Sequence, residues 1–341
     1  MEKKKIQRAA LIAGAVLLII ALSSYFLFLA PISGRSTTSY LYLDANDDID
    51  SVYAKLDTAA RPHQLLGFRL LDACLGYHKN IKPGRYAVTG STSTLRLFRN
   101  LRNGSQTPVR ITIPVVRTMD RLAAELARHL EPDSATLSRC FRDEAFCERY
   151  GCDTATLACL FLPNTYEMWW NTTPDQLLRR MQRESRAFWT PTRQEQARKA
   201  GLSENEAITL ASIVEQETAV DAEKPRVAGM YLNRLHRGMK LQADPTVKFA
   251  LGDFSLRRIL HGHLAIDSPY NTYKYPGLPP GPICIPSLAS IESVLNYEHH
   301  DYVYMCAKED FSGTHNFATT GKEHMENARR YAEALDRRGI R

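Results

Sequence analysis

Three spacings of apolar residues organise this chain. The first is unbroken. Ala9 to Ala30 carries no charged side chain over 22 residues, and about 20 apolar residues span the hydrocarbon of a bilayer as a helix. Lys3, Lys4, Lys5 and Arg8 precede the run, and Tyr25, Phe26 and Phe28 lie toward its far end, where an aromatic belt belongs. The pattern predicts a cytoplasmic tail over 1–8 and a transmembrane helix over 9–30. A cleaved signal peptide would have a shorter apolar stretch ending in small residues. Here Phe28 and Leu29 precede Ala30, and Pro31 follows. The expectation is therefore an uncleaved anchor, with everything after about Ser33 outside the cytoplasm.

The second spacing is two. Ser39 to Leu43 and Val109 to Val115 alternate as strands do, and a Pro83-Gly84 turn feeds another strand up to Val88. Helical patterns at Asp47 to Leu56, His63 to Cys74 and Thr94 to Arg102 fall between them, the last stopped by Gly104. The order predicts a small α+β module over 37–113. The third spacing is helical and starts a helical region over 114–200. Leu122, Leu126 and Leu130 mark one helix, Phe161 to Tyr166 reads as a turn, and Thr173 to Trp189 reads as an amphipathic helix. Near the C-terminus, Tyr302 to Cys306 alternates, Gly313 to Phe317 completes a β-rich end, and a helix starts at Thr320 with Glu323 as its capping partner and ends at Gly339. The fold class expected is mixed α+β.

Composition changes this picture little. Over 341 residues, 44% hydrophobic and 24% charged side chains exclude wholesale disorder. A mean hydropathy of -0.32 excludes a polytopic membrane protein. The net charge of +7 is spread along the chain and reads as a solvated surface. Nucleic acid is not among the expected partners. Of seven cysteines, Cys140, Cys147, Cys152 and Cys159 cluster without a C-x-x-C pair or zinc-finger histidine spacing, so no metal site is expected. Buried free thiols are one reading of this cluster. An exported location makes one disulfide within it the other.

The chemistry concentrates in residues 201–317. Ser203-Glu-Asn-Glu206 is a capping box, and the following helix, Ala207 to Thr218, is apolar until two glutamates at its end. At 100° per residue Glu217 lies ~20° from Leu210, ~40° from Ile213 and ~60° from Val214, while Glu215 lies ~160° away from Glu217. A glutamate on an apolar face has a raised pKa, the condition for a carboxylic acid that donates a proton near neutral pH. A charge reaching out at the helix end, or a buried ion pair, would give the same pattern. A second helix opens near Pro225, carries the stripe Val227, Tyr231 and Leu235 together with Asn233 and Arg234, and stops at Gly238. Arg234 reads as a carboxylate partner or as a surface arginine. The loops that follow hold Gln242, an Asp244-Pro245 turn, and Tyr270, Asn271 and Tyr273. Aromatic faces and neutral hydrogen-bonding groups together suit a sugar, although they also serve as packing.

At these residues the chain resembles the endolytic murein (peptidoglycan) transglycosylase family, YceG-like. The stretches that carry the resemblance are Leu210-Ala-Ser-Ile-Val-Glu-Gln-Glu-Thr218, Leu232-Asn-Arg-Leu235, Gly238 to Val247, Tyr270-Asn-Thr-Tyr273, Gly277 to Ile283 and His315-Asn-Phe317, with Ile81 to Tyr86 and Phe161 to Tyr166 upstream. They keep their order and intervals across almost the whole chain after the anchor. His261-Gly-His263, the cysteine cluster and Ile283 to Ser287 depart from the family pattern. The resemblance implies a LysM-like module at 37–113 and a catalytic domain at 114–341. It implies an inner-membrane enzyme that cuts nascent glycan strands internally, leaves 1,6-anhydro-N-acetylmuramic acid ends and uses no cofactor or metal. It makes Glu217 the catalytic residue. Peptidoglycan strands and the cytoplasmic membrane are the implied partners, with peptidoglycan synthases and the elongation or division machinery as candidates. Asn233, Gln242, Asp244, Tyr270, Asn271 and Tyr273 are expected to hold the sugar. Two rival readings are a hydrolase pairing Glu217 with Asp244, and a non-catalytic wall-binding or divisome scaffold.

Overall fold

The computed structural model describes residues 2–34, 37–58, 60–256 and 258–339. The chain divides into two compact units, one of residues 1–110 with 129–131 and 167–172, the other of 111–128, 132–166 and 173–341.

In the first unit, α1 (Glu2–Ser24) continues as a π-helical turn, Tyr25–Leu29. Helix therefore includes residues 2–8, expected as a separate tail. The segment 2–29 is long and apolar enough to cross a membrane, consistent with single-pass anchoring. Then follow β1 (Ser39–Leu43), α2 (Ile49–Asp57), α3 (Pro62–Leu75), β2 (Gly84–Val88) and α4 (Thr94–Asn103). β1 and β2 pair antiparallel with Leu41 opposite Tyr86. The alternation in β1 works as its pattern predicts, for Leu41 and Leu43 are buried while Tyr40 and Tyr42 stay outside. The helices close over that face with Val52, Leu56, Phe68, Leu97, Phe98 and Leu101. Phe68 packs edge-on against Tyr77 and Phe98, with ring centroids 5.9 and 5.3 Å away, an arrangement that the ring quadrupoles favour.

Two short strands, β3 (Val109–Thr112) and β4 (Thr165–Met168), lie where the chain passes from one unit to the other. β4 begins inside the stretch expected as a turn. The second unit is largely helical. Its elements are α5 (Met119–Ala127), α6 (Ser134–Phe141), α7 (Glu144–Glu148), α8 (Pro174–Phe188), α9 (Pro191–Lys199), α10 (Glu204–Glu217), α11 (Lys224–His236), α12 (Asp244–Leu251), α13 (Leu288–Leu295), a hairpin of β5 (Tyr304–Ala307) with β6 (His315–Ala318), and α14 (Gly321–Arg337). Asp244-Pro245, expected as a turn, instead starts α12. Proline is tolerated in a first helical turn because its missing N–H has no intrahelical partner there.

α10 is the centre of this unit. Ala207 to Val214 are all buried, packed against Val227, Ala228, Tyr231, Ile291 and Val294. The capping box at its start forms as its residues predict, with the Glu206 amide donating to Ser203 Oγ at 3.3 Å and the Ser203 amide to Glu206 Oε2 at 2.8 Å.

All seven cysteines are free thiols, and the disulfide reading for residues 140–159 gives way to that of free thiols, of which Cys147 and Cys159 are buried and Cys140 and Cys152 half-buried. Cys152 Sγ donates to the Cys147 carbonyl at 3.4 Å, and Cys147 Sγ to the Phe141 carbonyl at 3.8 Å. Burial first of all pushes Cys147 up to about 11 and Cys152 up to about 12, so neither thiol is poised to ionise and exchange.

Candidate active site

Three polar residues end α10, and each leaves the helix in a different direction. Glu215 reaches the start of α13. Its Oε2 accepts from the Ser287 amide at 3.1 Å, from the Ser287 and Ser290 hydroxyls at 2.5 Å each, and from Lys224 Nζ at 3.4 Å. Burial works to raise its pKa, but the serine hydrogen bonds and the Lys224 charge outweigh it and hold the group below the usual glutamate value. Gln216 accepts from Arg117 Nε at 2.8 Å and donates to Cys284 Sγ at 3.6 Å.

Glu217 is the opposite of Glu215. It sits in the last turn of an apolar helix, partly exposed, with Tyr231 of α11 donating to its Oε1 at 2.5 Å. Burial dominates and pushes its pKa up to about 7. The Tyr231 hydrogen bond and the charge of His315 pull it down, Asp244 pushes it up, and Lys248 pulls it down. Two carboxyl groups two residues apart on one helix thus have separate chemistry. One is an ionised, fully bonded anchor, and the other is a carboxylic acid near neutrality with one short hydrogen bond.

The surroundings of Glu217 come from four further elements. Tyr231 is buried, and its burial, then the Glu217 charge, keep its hydroxyl protonated well above the usual tyrosine range. Asp244 opens α12, is exposed, and accepts from Tyr273 Oη at 2.6 Å. Gln242 is exposed at φ +51, a left-handed conformation rare for a side chain without special need. Its amide donates to the Thr272 carbonyl at 3.1 Å, and the next amide, Ala243, donates to Thr272 Oγ1 at 3.0 Å. The 242–244 loop is thereby tied to the 271–273 loop. His315 on β6 is fixed by Glu223, whose carboxyl receives the His315 amide at 2.6 Å and faces Nδ1 at 2.9 Å.

Arg234 is neither a carboxylate partner nor a surface residue. It is buried, and donates to the carbonyls of Val303 at 2.6 Å, Lys240 at 3.1 Å and Leu241 at 2.8 Å, and to Gln242 Oε1 at 3.3 Å. The fork of the guanidinium suits it to several carbonyls at once. It fixes the loop that presents Gln242.

The expected sugar-binding residues therefore divide. Asp244 and Tyr273 lie within electrostatic reach of Glu217, and Gln242 stands two residues before Asp244. Asn233 and Asn271 spend their side-chain amide nitrogens on the fold. Asn233 Nδ2 donates to the carbonyls of His300 at 2.6 Å and Tyr302 at 2.9 Å. That loop lies so close to α11 that a Cβ on Gly229 would collide with the Glu298 carbonyl. Asn271, with no exposed surface, donates to the carbonyls of Leu264 at 2.9 Å and Ile266 at 2.8 Å. Tyr270 packs on Phe249 at 4.7 Å between ring centroids and lines a cavity of about 140 Å³ with Arg117, Met119, Ala158 and Cys284. Sequence reasoning missed Tyr231, Glu223 and His315 as parts of the site. Tyr231 had a signal, since a tyrosine in a buried stripe brings a hydroxyl that needs a partner. Glu223 and His315 lie 92 residues apart, and no spacing rule links them.

A carboxyl group of pKa about 7, hydrogen-bonded by a tyrosine and flanked by a carboxylate, a histidine and a lysine, is equipped to give and take a proton at neutral pH. The fold is thus a mixed α+β one whose central buried helix ends in a carboxyl group with a pKa of about 7. The chain belongs to the YceG-like family, whose sequence profile matches residues 41–330. It is similar to the endolytic murein transglycosylase of Bacillus subtilis, with 35% identity over 47% of this chain and 44% of that protein. It is also similar to the endolytic murein transglycosylase of Streptococcus pneumoniae strain D39, with 30% identity over 89% of this chain and 64% of that protein. The chain thus spans less than two thirds of the length of either relative. A YceG-like protein of Listeria monocytogenes, solved by crystallography, superposes with a TM-score of 0.55 and 25% identity, over 86% of this chain and 99% of that one.

Proposed function

We propose that the chain is a membrane-anchored endolytic lytic transglycosylase that cleaves nascent peptidoglycan strands between N-acetylmuramic acid and N-acetylglucosamine. The observation that carries the reading is Glu217, a carboxylic acid with a pKa near 7 in a family whose named relatives are murein transglycosylases. In the first half-reaction Glu217 gives its proton to the glycosidic oxygen, the C1–O bond of the muramic residue breaks, and positive charge develops at C1. In the second, the Glu217 carboxylate takes the proton of the C6 hydroxyl as O6 bonds to C1. The 1,6-anhydro ring closes, Glu217 is protonated again, and no water is consumed. Tyr231 holds the carboxyl oxygen in place through both steps. The Asp244 carboxylate, fixed by Tyr273, offers negative charge to the cationic centre, and Gln242 and Tyr273 orient the sugar.

In this reading residues 9–30 anchor the chain with its N-terminus in the cytoplasm, residues 37–113 form a LysM-like module, and residues 114–341 form the catalytic domain outside the cytoplasm. A reporter active only outside the cytoplasm, fused after Arg341, tests the orientation and should be active. Because Asp244 bears on Glu217, a hydrolase using both carboxyl groups is the second reading. Mass spectrometry of digested glycan strands separates the two. The proposal expects anhydro ends, one water lighter than the reducing ends a hydrolase leaves, and Glu217→Gln should give neither. A protein that binds strands but releases no fragment would be a scaffold, and the enzymatic reading would be wrong.

A further inference from the structure

The chain leaves its apolar N-terminal helix without a linker. Directly after the turn ending at Leu29, Ala30, Ile32 and Ser33 are buried in the first unit. The Ile32 amide donates to the Thr92 carbonyl at 2.7 Å, and the Ile32 carbonyl accepts from the Arg61 amide at 3.0 Å. Pro31 forms a β-bridge with Ser93. Gly67 of α3 lies so close to the Leu27 carbonyl that a Cβ there would collide with it. The end of the helix is thus fixed to α3 and to the start of α4. At a rise of 1.5 Å, the 28 residues from Glu2 to Leu29 cover about 42 Å, close to the thickness of a bilayer with its headgroups. If that helix spans a bilayer, the parts of α3 and α4 beside residues 27–33 lie at headgroup depth.

Two features lie on these two helices. Ser93, against Pro31, caps α4, and the outer side of that helix lines a concavity of about 420 Å³ with Arg96, Arg99, Asn100, Asn103 and Ser105. Arg96 and Arg99 are exposed and have no carboxylate partner among the described residues. On α3, Leu66 and Leu70 are 53% and 43% exposed. At 100° per residue they lie ~100° and ~60° to one side of Gly67, flanking the line along which α3 meets the anchor. Cations that match phosphate geometry and leucines left open to the surroundings are thus carried by the two helices fixed to the end of the anchor.

We propose that this face of the first unit is a membrane-docking surface. Arg96 and Arg99 grip phosphate oxygens of anionic phospholipid headgroups in the concavity, and Leu66 and Leu70 enter the boundary of the acyl chains. The inference rests on the reading of residues 9–30 as an anchor. It adds that the module itself lies on the lipid surface rather than swinging on a tether. Asn100, Asn103 and the two serines supply neutral hydrogen bonds to the same headgroups.

Hydrogen exchange of the full chain in nanodiscs tests this, with discs of phosphatidylcholine compared to discs in which a third of the lipid is phosphatidylglycerol. Amides of α3 and α4 should exchange at least about tenfold more slowly in the phosphatidylglycerol discs, since docking must be lost before those segments open. Arg96→Gln with Arg99→Gln should abolish the difference between lipids. Leu66→Ser with Leu70→Ser should speed exchange in α3 in the phosphatidylglycerol discs. Equal exchange in the two lipids by a chain that stays in the discs overturns the docking surface and leaves the anchor standing. Equal protection of α4 in phosphatidylcholine discs by soluble murein oligosaccharides also overturns it, because the concavity would then be a sugar site. A chain that alkaline carbonate strips from the discs overturns the anchor reading itself.

Discussion

Replacing Glu217 by Gln should make the protein more stable while removing its activity, and the gain should depend on pH in a defined way. The folded pKa is about 7 against the ordinary glutamate value of 4.5. A carboxyl raised on folding contributes nothing below about pH 4.5, where both states are protonated. Between the two values the unfolded chain has released a proton that the folded one still holds, so stability falls as pH rises. Above about pH 7 the full penalty applies, about 3 kcal/mol at 1.36 kcal/mol per unit. Glutamine keeps the shape and can still accept from Tyr231, but it does not titrate. The stability advantage of Glu217→Gln should therefore grow by about 2–3 kcal/mol between pH 5 and pH 8. Urea unfolding reads this directly. Trp189, buried in the core of the second unit, serves as the fluorophore once Trp169 and Trp170 are replaced by Phe. The same variant should lose at least about 10²–10⁴-fold in the release of anhydro-ended fragments, the usual worth of general acid–base assistance. A stability difference that does not change with pH would show that Glu217 is not held neutral by burial, and the argument for its role would lose its physical basis.

Four further outcomes follow from the same site and its supports. The rate of strand cleavage at low substrate should fall about tenfold per pH unit above pH 7 as Glu217 loses its proton, and Tyr231→Phe should shift that limb to higher pH, because the Tyr231 hydrogen bond holds the Glu217 pKa down and its loss raises it; an unmoved limb would refute the assignment. Glu215→Gln should cost about 2 kcal/mol in unfolding experiments, since it removes the carboxylate shared by Ser287, Ser290 and the buried Lys224 and leaves that lysine only the exposed Asp221, yet keep its activity per folded molecule, so loss of turnover in folded protein would count against a purely structural role. Gln242→Gly relieves a left-handed side chain and should leave stability within about 1 kcal/mol of the parent while raising KM; unchanged kinetics would remove Gln242 from the sugar site. Thiol titration of the denatured, unreduced protein should find seven free groups, and five would restore the disulfide in the 140–159 cluster.

What the sequence makes legible here follows from the range of the forces involved. Local rules reach a few residues, and they place the anchor run, the capping boxes at Ser203 and Thr320, the stop at Gly104 and the two faces of α10. They separate Glu215 from Glu217 because 200° of helical rotation is a local fact. They do not say which of the two is ionised. Glu215 and Glu217 leave the same helix among equally apolar neighbours, and their difference comes from residues 9 to 75 positions away in sequence, Lys224, Ser287 and Ser290 for one and Tyr231 for the other. The same limit explains Asn233, Arg234 and Asn271. Each is a polar residue in a motif-rich stretch, which reads as a binding group. Yet a loop that must run close to a helix or to another loop leaves backbone carbonyls unpaired, and a buried carbonyl without a donor costs more than a side-chain amide spent on it. Polar residues around such a site thus serve in two ranks. The first, with Glu217, Tyr231, Asp244 and Tyr273, would set protons and charge in the proposed reaction. The second, with Arg234, Asn233, Asn271 and Glu223, holds the backbone that presents the first. Because both ranks sit in the same short motifs, residue type alone does not sort them. The sorting variable is the set of partners: Ser287, Ser290 and Lys224 outweigh burial at Glu215, whereas the single Tyr231 hydrogen bond and the more distant charges do not outweigh it at Glu217, which is why this carboxyl and not its neighbour keeps its proton near pH 7.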